Sequence, residues 1–176
     1  TIVPHLALQA PPDLISYYNN KGWDDPAYEG GRGYLPHPTP RAAYAAMVTG
    51  MDRNIGRLFA AIKARGEWDN TIVVFTSDNG PWLFMREEGG VAGLLRNGKG
   101  TTFEGGVRVP TVFYWPGTVK PEVVSDIGSA TDLFSTVMAL VGVDAPSATD
   151  ALDLSPRLLG DGASPRTEMP YYRGGT

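Results

Sequence analysis

The chain has 176 residues, of which 42% are hydrophobic and 19% charged, with a formal net charge of −4. An acidic balance disfavours a nucleic-acid partner, because phosphate binding requires clustered Lys and Arg. With no cysteine, the chain has no disulfide, thiolate metal site or Cys nucleophile. No apolar run is long enough to span a bilayer, and no signal-peptide pattern is visible.

The first forty residues predict little regular structure. Thr1–Val3 is apolar and β-branched and favours the end of a strand, which would place His5 just beyond it. A short helix is predicted over residues 13–18. Residues 19–40 show no sustained period, and a loop of that length in a compact domain is usually functional or disordered. His37, within this loop, is a weak candidate contact. A lone loop histidine such as His5 is more often exposed or simply hydrogen-bonded.

Residues 40–65 carry the clearest helical pattern. Their apolar residues recur every three or four positions, which is typical of one buried stripe. Thr39 is the predicted N-cap and Pro40 suits the first turn, whereas Gly66 favours termination. A short turn then leads into an apolar strand, and the order helix, turn, buried strand predicts an α/β sheet.

Two polar residues, Asp78 and Asn79, follow that strand directly. Ile72–Phe75 is a continuous β-branched and aromatic run, which favours a strand covered on both faces. Ligands of open α/β sheets bind beyond the carboxyl ends of strands. Carboxylate and amide oxygens suit Ca²⁺ or Mg²⁺. Asp-Asn-Gly-Pro is also a common turn sequence, so these residues alone leave both interpretations open.

Lys99 stands between two glycines in the glycine-rich segment 96–110. Glycines let the backbone approach a ligand closely, and the ammonium can then project toward an anion. The spacing does not match a nucleotide-binding P-loop. Taken alone, such a segment is commonly an ordinary loop, and this alternative also stays open.

The last third of the chain predicts a mixture of short elements. The apolar positions of the later helix are expected to be buried. The elements are a strand at 111–115, an edge strand within 119–127, a helix from Thr131 to about residue 141, a helical turn within 152–160 and a strand beginning at 170–173.

Four segments match, in order, the motifs of one family: Pro4–Pro11, with Ala7 at a usual Pro; Met51–Leu58 with Asp69–Gly80; Gly98–Pro110 with Trp115–Gly117; and Thr131–Thr136, with Ser135 at a usual Pro. They resemble the sulfatase family of the alkaline-phosphatase-like superfamily. The sequence of these motifs is most similar to that of the arylsulfatase and N-acetylgalactosamine-sulfatase branch, and the resemblance covers nearly the whole chain.

The resemblance implies an α/β fold, as part of an alkaline-phosphatase-like α/β/α sandwich with a mainly parallel mixed sheet. Residues 1–145 are expected to form the C-terminal part of the sulfatase catalytic domain. Residues 146–176 are expected to begin a smaller C-terminal subdomain or a connecting segment. Substrate specificity is expected in the loops 19–38 and 82–95.

The resemblance also implies roles for single residues. Asp78 and Asn79 would be metal ligands for Ca²⁺ rather than Mg²⁺. Lys99 would bind a sulfate oxygen, and His5 would contact the sulfate and protonate the leaving alcohol. The family's nucleophile is a formylglycine made from Cys or Ser in Cys/Ser-x-Pro-x-Arg, which has no match here and is expected in an upstream segment. The upstream Asp-Asp metal pair is not matched either, because Asp24-Asp25 follows His5.

The chain is therefore predicted to be a fragment of a Ca²⁺-dependent sulfuric ester hydrolase, inactive by itself and requiring the N-terminal part of the catalytic domain. Its substrate would be a sulfated small molecule or glycan, with neither nucleic acid nor a membrane span involved. The compartment implied by the family is periplasmic, secreted or lysosomal. One alternative is a phosphatase or phosphodiesterase of the same superfamily, although a two-metal site would need more than the two histidines present. Another is a non-catalytic domain that binds sulfated ligands.

Overall fold

A computed structural model describes residues 2–31 and 33–172. The elements in chain order are α1 (Pro12–Asn19), α2 (Pro40–Ala64), a 3₁₀ turn (Trp68–Asn70), β1 (Val73–Phe75), a 3₁₀ segment (Leu83–Glu88), α3 (Glu104–Val107), β2 (Val112–Tyr114), α4 (Asp132–Leu140) and α5 (Ser155–Leu159). They fall into two compact units, the first made of residues 1–68 and 80–107 and the second of residues 69–79 and 108–176. Among the described residues, no helix has both the length and the apolar character needed to cross a membrane.

The core of the first unit lies between α2 and the segments that precede it. The helix buries a stripe of small residues with one larger side chain, Met47, which packs against Leu8. Because the residues of this stripe are small, α1 can pack closely on α2, and Leu14 of α1 is buried. A hydrogen bond of 2.7 Å between the hydroxyls of Tyr18 and Thr49 also joins α1 to α2. The predicted helices at 13–18 and 40–65 are thus present.

The N-terminus of α2 is capped from a distance. Thr39 occupies the N-cap position, but its side chain makes no capping bond. The carboxylate of Asp25 instead accepts hydrogen bonds of 2.8 Å from the backbone N–H groups of Arg41 and Ala42. These are two of the donors that a helix start leaves unpaired, and a negative charge there also favours the helix dipole. The predicted N-cap position of Thr39 is confirmed, but the side chain that caps the helix is Asp25.

The second unit contains a two-stranded sheet. β1 and β2 pair antiparallel, with Val74 opposite Phe113, and the indole Nε1–H of Trp115 donates to the carbonyl of Asp69 at 3.0 Å. The predicted positions of both strands are confirmed. Their pairing is antiparallel, so the mainly parallel sheet expected from the resemblance is not seen among residues 2–31 and 33–172. Phe75 is 43% exposed, because a two-stranded sheet offers it little cover.

Three smaller predictions differ from the structure. Residues 119–127 form no strand, and neither do Ile2 and Val3, which lead into a turn closed by the His5 N–H on the Ile2 carbonyl. Residues 170–172 are also irregular, and Arg173 lies outside the described residues. The predicted helical turn within 152–160 is present as α5, which ends at Gly160 in the left-handed region.

Helix α4 buries a polar face rather than the apolar one that its sequence predicts. Phe134 and Val137 are 51% and 44% exposed, whereas Asp132, Ser135 and Thr136 are buried. The polar face receives the segment 150–168. Asp132 accepts from the backbone N–H groups of Ser129 and Leu152, and the Thr136 hydroxyl accepts from the N–H of Leu154 at 2.9 Å.

The centre of this polar face is a two-pronged ion pair between Asp132 and Arg166. Nε and Nη2 of Arg166 each donate to a different carboxylate oxygen at 2.6 Å, and Nη2 also donates to the Asp150 carbonyl at 2.8 Å. Burial opposes ionisation of Asp132, but the Arg166 guanidinium and the two backbone donors outweigh it and lower the pKa of this carboxyl. Asp132 is therefore ionised at neutral pH.

The capping role predicts unequal effects of two alanine substitutions. Asp25→Ala should lower the free energy of unfolding by about 1–2 kcal/mol, because it leaves two backbone donors without their carboxylate. Thr39→Ala should cost less than about 0.5 kcal/mol. Urea denaturation at pH 5.5 measures both. At that pH the neighbouring Glu88, whose pKa is raised to about 7, is protonated and does not repel Asp25. An equal loss in the two variants would contradict the assignment.

Breaking the buried ion pair should be more costly. Asp132→Ala leaves the Arg166 guanidinium buried without its carboxylate, and such losses amount to about 3–5 kcal/mol. Because the pKa of Asp132 is lowered in the folded protein, this stability is present at neutral pH and lost as pH falls through the folded value. The control is Glu122→Ala, which removes one exposed partner of Arg157 and should change stability much less. A small loss for Asp132→Ala at pH 7 would refute the role.

Candidate functional site

His5 lies in the loop that precedes α1, with its imidazole exposed. Its Nδ1 lies 2.7 Å from the carbonyl oxygen of Leu6. A carbonyl can only accept, so Nδ1 carries the hydrogen of this bond. Nε2 is then the basic nitrogen of the neutral ring and becomes a donor when the ring is protonated. The hydrogen bond to the local backbone thus indicates which nitrogen of the neutral His5 ring carries the hydrogen.

Trp82 is a neighbour of both His5 and Lys99. The centroids of the His5 and Trp82 rings are 6.3 Å apart, and the Lys99 ammonium nitrogen lies 5.5 Å from the centroid of the same indole, over its face. Tyr34 meets Trp82 edge-on, with centroids 5.6 Å apart and an interplanar angle of 80°, and lies 6.1 Å from the His5 ring. The structure therefore brings the two predicted catalytic residues to one aromatic group in the first unit.

Lys99 is held by a close approach between two stretches of backbone. Its N–H donates to the Pro81 carbonyl at 2.8 Å. A Cβ on Gly98 would lie 2.3 Å from that carbonyl oxygen, and one on Gly105 would lie 1.9 Å from the Asn97 oxygen. Real Cβ atoms do not come so close to backbone, so only glycine permits this packing. The glycines around Lys99 position it.

The loop 19–40 is more ordered than its composition indicates. It folds back through two isolated bridges, Tyr28 with His37 and Gly31 with Tyr34, and so delivers Tyr34 to His5. The Nδ1 of His37 accepts from the Thr39 N–H at 3.1 Å. The ring of His37 thus has a structural bond inside the loop that accounts for its position.

Asp78 and Asn79 lie in the second unit, just beyond β1. The Ser77 hydroxyl donates to the Asn79 carbonyl at 2.9 Å, and the hydroxyls of Thr76 and Thr111 lie 2.9 Å apart across the two strands. Asp78 is exposed and Asn79 half-buried. Their oxygens are of the hard type that Ca²⁺ prefers, and two such residues would by themselves fall short of the roughly six to eight ligands that Ca²⁺ takes. The part of the chain that the structure describes holds no cluster of three or more His, Cys, Asp or Glu suited to a metal.

Sequence reasoning missed a buried carboxyl, Glu88. It is 3% exposed, and neither carboxylate oxygen has a hydrogen-bond partner among the described residues. Burial and, to a smaller degree, the charge of Asp25 raise the pKa of Glu88 to about 7. The 3₁₀ segment that carries it packs on α2. No periodic pattern marks Glu88, and the adjacent pair of glutamates suggests a solvated turn.

Glu88 predicts a pH dependence of stability. Its folded pKa of about 7 lies above the ordinary carboxyl value of 4.5, so the folded protein binds the extra proton and stability falls as pH rises between these values. Glu88→Gln should match the parent protein near pH 4.5 and exceed it above pH 7 by about 2–3 kcal/mol. Denaturant titrations at pH 4.5, 6 and 8 measure this. Glu67→Gln, at an exposed carboxyl, is the control, and a parallel gain there would contradict the prediction.

Comparison with known proteins gives concordant matches. A model of the Sulfatase family matches residues 1–143. Human arylsulfatase A is 44% identical over 133 residues, which cover 75% of this chain and 26% of that protein. Human N-acetylgalactosamine-6-sulfatase is 44% identical over 140 residues, covering 77% and 27%. The crystal structure of Ps i-CgsB in complex with k-i-k-neocarrahexaose matches with a TM-score of 0.74 at 32% identity, covering 92% of this chain and 32% of that one. The chain thus spans about a quarter to a third of the length of these relatives.

Proposed function

Because this chain belongs to the sulfatase family and has its α/β, alkaline-phosphatase-like fold, we propose that the protein carrying it hydrolyses sulfate esters. The observation that supports this most is the placement of Lys99 and His5 on one indole, Trp82. An ammonium and an imidazole beside one indole suit a reaction in which an anionic ester loses an alcohol.

Lys99 is proposed to bind a non-bridging oxygen of the sulfate. As the bond between sulfur and the ester oxygen breaks, its electron pair passes to the leaving oxygen, and negative charge grows there. A preorganised cation in a partly dry site stabilises such charge far more than water does. The glycine-built backbone around Lys99 supplies this preorganisation, because it leaves the main chain no freedom to swing away.

His5 is proposed to donate the proton that the leaving oxygen takes up. The bond from Nδ1 to the Leu6 carbonyl leaves Nε2–H of the imidazolium as the donor. The sulfur takes in exchange an oxygen that comes ultimately from water, so the products are an alcohol and sulfate. Of the two protons that this water releases, one restores His5 and the other goes to solvent. General acid catalysis of this kind contributes about 10²–10⁴-fold in rate.

Asp78 and Asn79 are proposed as two ligands of a Ca²⁺ ion, which when bound would supply Lewis-acid stabilisation of the sulfate oxygens. The chain contains neither Cys nor a Ser-x-Pro-x-Arg sequence, so a formylglycine nucleophile would come from other residues of the protein. The proposed substrate is a sulfated glycan or aryl sulfate. The carbohydrate in the Ps i-CgsB complex supports the glycan. The proposed compartment is periplasmic, secreted or lysosomal, as the family implies.

The full gene product tests the assignment. Lys99→Ala should lower kcat/KM for a sulfate ester by about 10²–10³-fold, as loss of one charge-stabilising donor does. The control is Lys63→Ala, which removes another ammonium that lies over a tryptophan, Trp68, at 4.5 Å, and it should leave the rate unchanged. Sulfate release is followed by ion chromatography. Asp78→Asn should in addition raise the Ca²⁺ concentration needed to restore chelator-treated enzyme.

Two results would contradict the proposal. One is a purified full gene product that cleaves phosphate esters but no sulfate ester. The other is a Lys99→Ala variant with the parent's kcat/KM. Equal losses of kcat/KM in Lys99→Ala and Lys63→Ala would likewise count against it, because the loss would then not depend on the position of Lys99 beside Trp82.

A further inference from the structure

We propose that Trp82 is a positioning residue, which holds the Lys99 ammonium and the His5 imidazole toward a single anion. The anion taken as substrate rests on the proposed function, whereas the positioning itself rests on the contacts of Trp82. The indole is the shared neighbour of both groups, at 5.5 Å from the Lys99 nitrogen and 6.3 Å from the His5 ring.

The contact with the ring limits where the Lys99 ammonium can go. A lysine side chain has a flexible four-carbon stem and a compact charge, so a fixed backbone does not by itself fix the charge. The face of an indole attracts a cation through its quadrupole. It takes none of the three N–H donors of the ammonium, which stay available to an anionic oxygen. An acidic partner at the same place would neutralise the charge that the anion needs.

The backbone of Trp82 is itself firmly held. Its N–H donates to the Gly89 carbonyl at 3.0 Å, and its carbonyl accepts from Met85 at 2.9 Å. A Cβ on Gly89 would lie 2.0 Å from the Trp82 carbonyl oxygen, so the backbone of the turn packs directly against that of Trp82. The adjacent Pro81 carbonyl binds the N–H of Lys99. The backbones of Trp82 and Lys99 are therefore held at a fixed distance from each other.

Tyr34 also contacts the indole. Its edge-on contact with Trp82, at 5.6 Å and 80°, has the geometry that aromatic pairs favour. The same tyrosine lies 6.1 Å from His5. Tyr34 belongs to the loop 19–38 and Trp82 to the loop 82–95, the two loops in which the sequence predicts substrate specificity. The contact between these two rings therefore brings both loops to His5 and Lys99.

Core packing does not account for Trp82. The buried cluster of this unit is built from Leu8, Ala43 and Met47, whereas Trp82 is half-buried and its ring neighbours are a lysine, a histidine and a tyrosine. Trp68 offers the matched comparison in this unit. It also carries a lysine, Lys63, over its ring, but the third group is Phe59 rather than a histidine.

The test is a double-mutant cycle in the full gene product. Trp82→Leu should lower kcat/KM by tenfold or more and weaken inorganic sulfate binding in calorimetry. Trp82→Phe keeps an aromatic face and should recover most of both. In a Lys99→Ala background, Trp82→Leu should lower kcat/KM far less than it does in the parent protein. If Trp82 acts by positioning the Lys99 ammonium, its removal has little further effect once that ammonium is gone. Trp68→Leu should stay within twofold of the parent.

The same cycle separates the two proposals. If Trp82→Leu retains its full effect in the Lys99→Ala background, or if Trp82→Phe is as poor as Trp82→Leu at an unchanged Tm, the positioning role is overturned even when sulfate esters are hydrolysed. If the parent protein hydrolyses no sulfate ester but its sulfate binding shows the non-additive cycle, the positioning role stands and the sulfatase proposal fails.

Discussion

The first unit depends on a contact between two backbones that only glycine permits. Gly80 and Gly105 lie so close that a Cβ on Gly80 would be 1.8 Å from the Gly105 oxygen, and the N–H of Gly80 donates to the Gly106 carbonyl at 3.0 Å. Without side chains between them, the segments 80–83 and 97–106 bond main chain to main chain. Lys99 and Trp82 project from these two segments, so main-chain bonding sets the spacing of their backbones, and the indole then limits where the flexible Lys99 side chain can place its ammonium.

The second unit is stabilised by a different physical means. Its helix α4 buries charge and hydroxyls, and the buried carboxylate of Asp132 is satisfied by a guanidinium and two backbone donors. A buried ion pair costs desolvation, which good geometry and additional hydrogen bonds must offset. The arrangement favours one position of the segment 150–168 on α4, because the backbone groups of an irregular segment need polar partners at matching places. An apolar face on α4 would leave them unpaired.

Local patterns predict the elements of this chain better than they predict its contacts. The period of α2 and the apolar runs of β1 and β2 are local, and they gave the right positions. The cap on α2 comes from Asp25, fifteen residues before the first residue of the helix, and no local signal marks it, whereas the local pattern favours Thr39. The apolar spacing of α4 likewise did not reveal which of its faces is buried. His5 and Lys99 were found through their motifs, whereas Tyr34 and Trp82 were seen only as parts of loops.

The protonation state of Glu88 bears on the turn that holds Trp82. Glu88 belongs to the turn that Trp82 begins, and Gly89, the next residue, bonds the Trp82 N–H. Ionised Glu88 would put an unpaired charge inside that turn, and its pKa of about 7 keeps it neutral in mildly acidic solution. Mildly acidic solution therefore favours the turn that holds Trp82, and with it the contacts of that ring with Lys99 and His5.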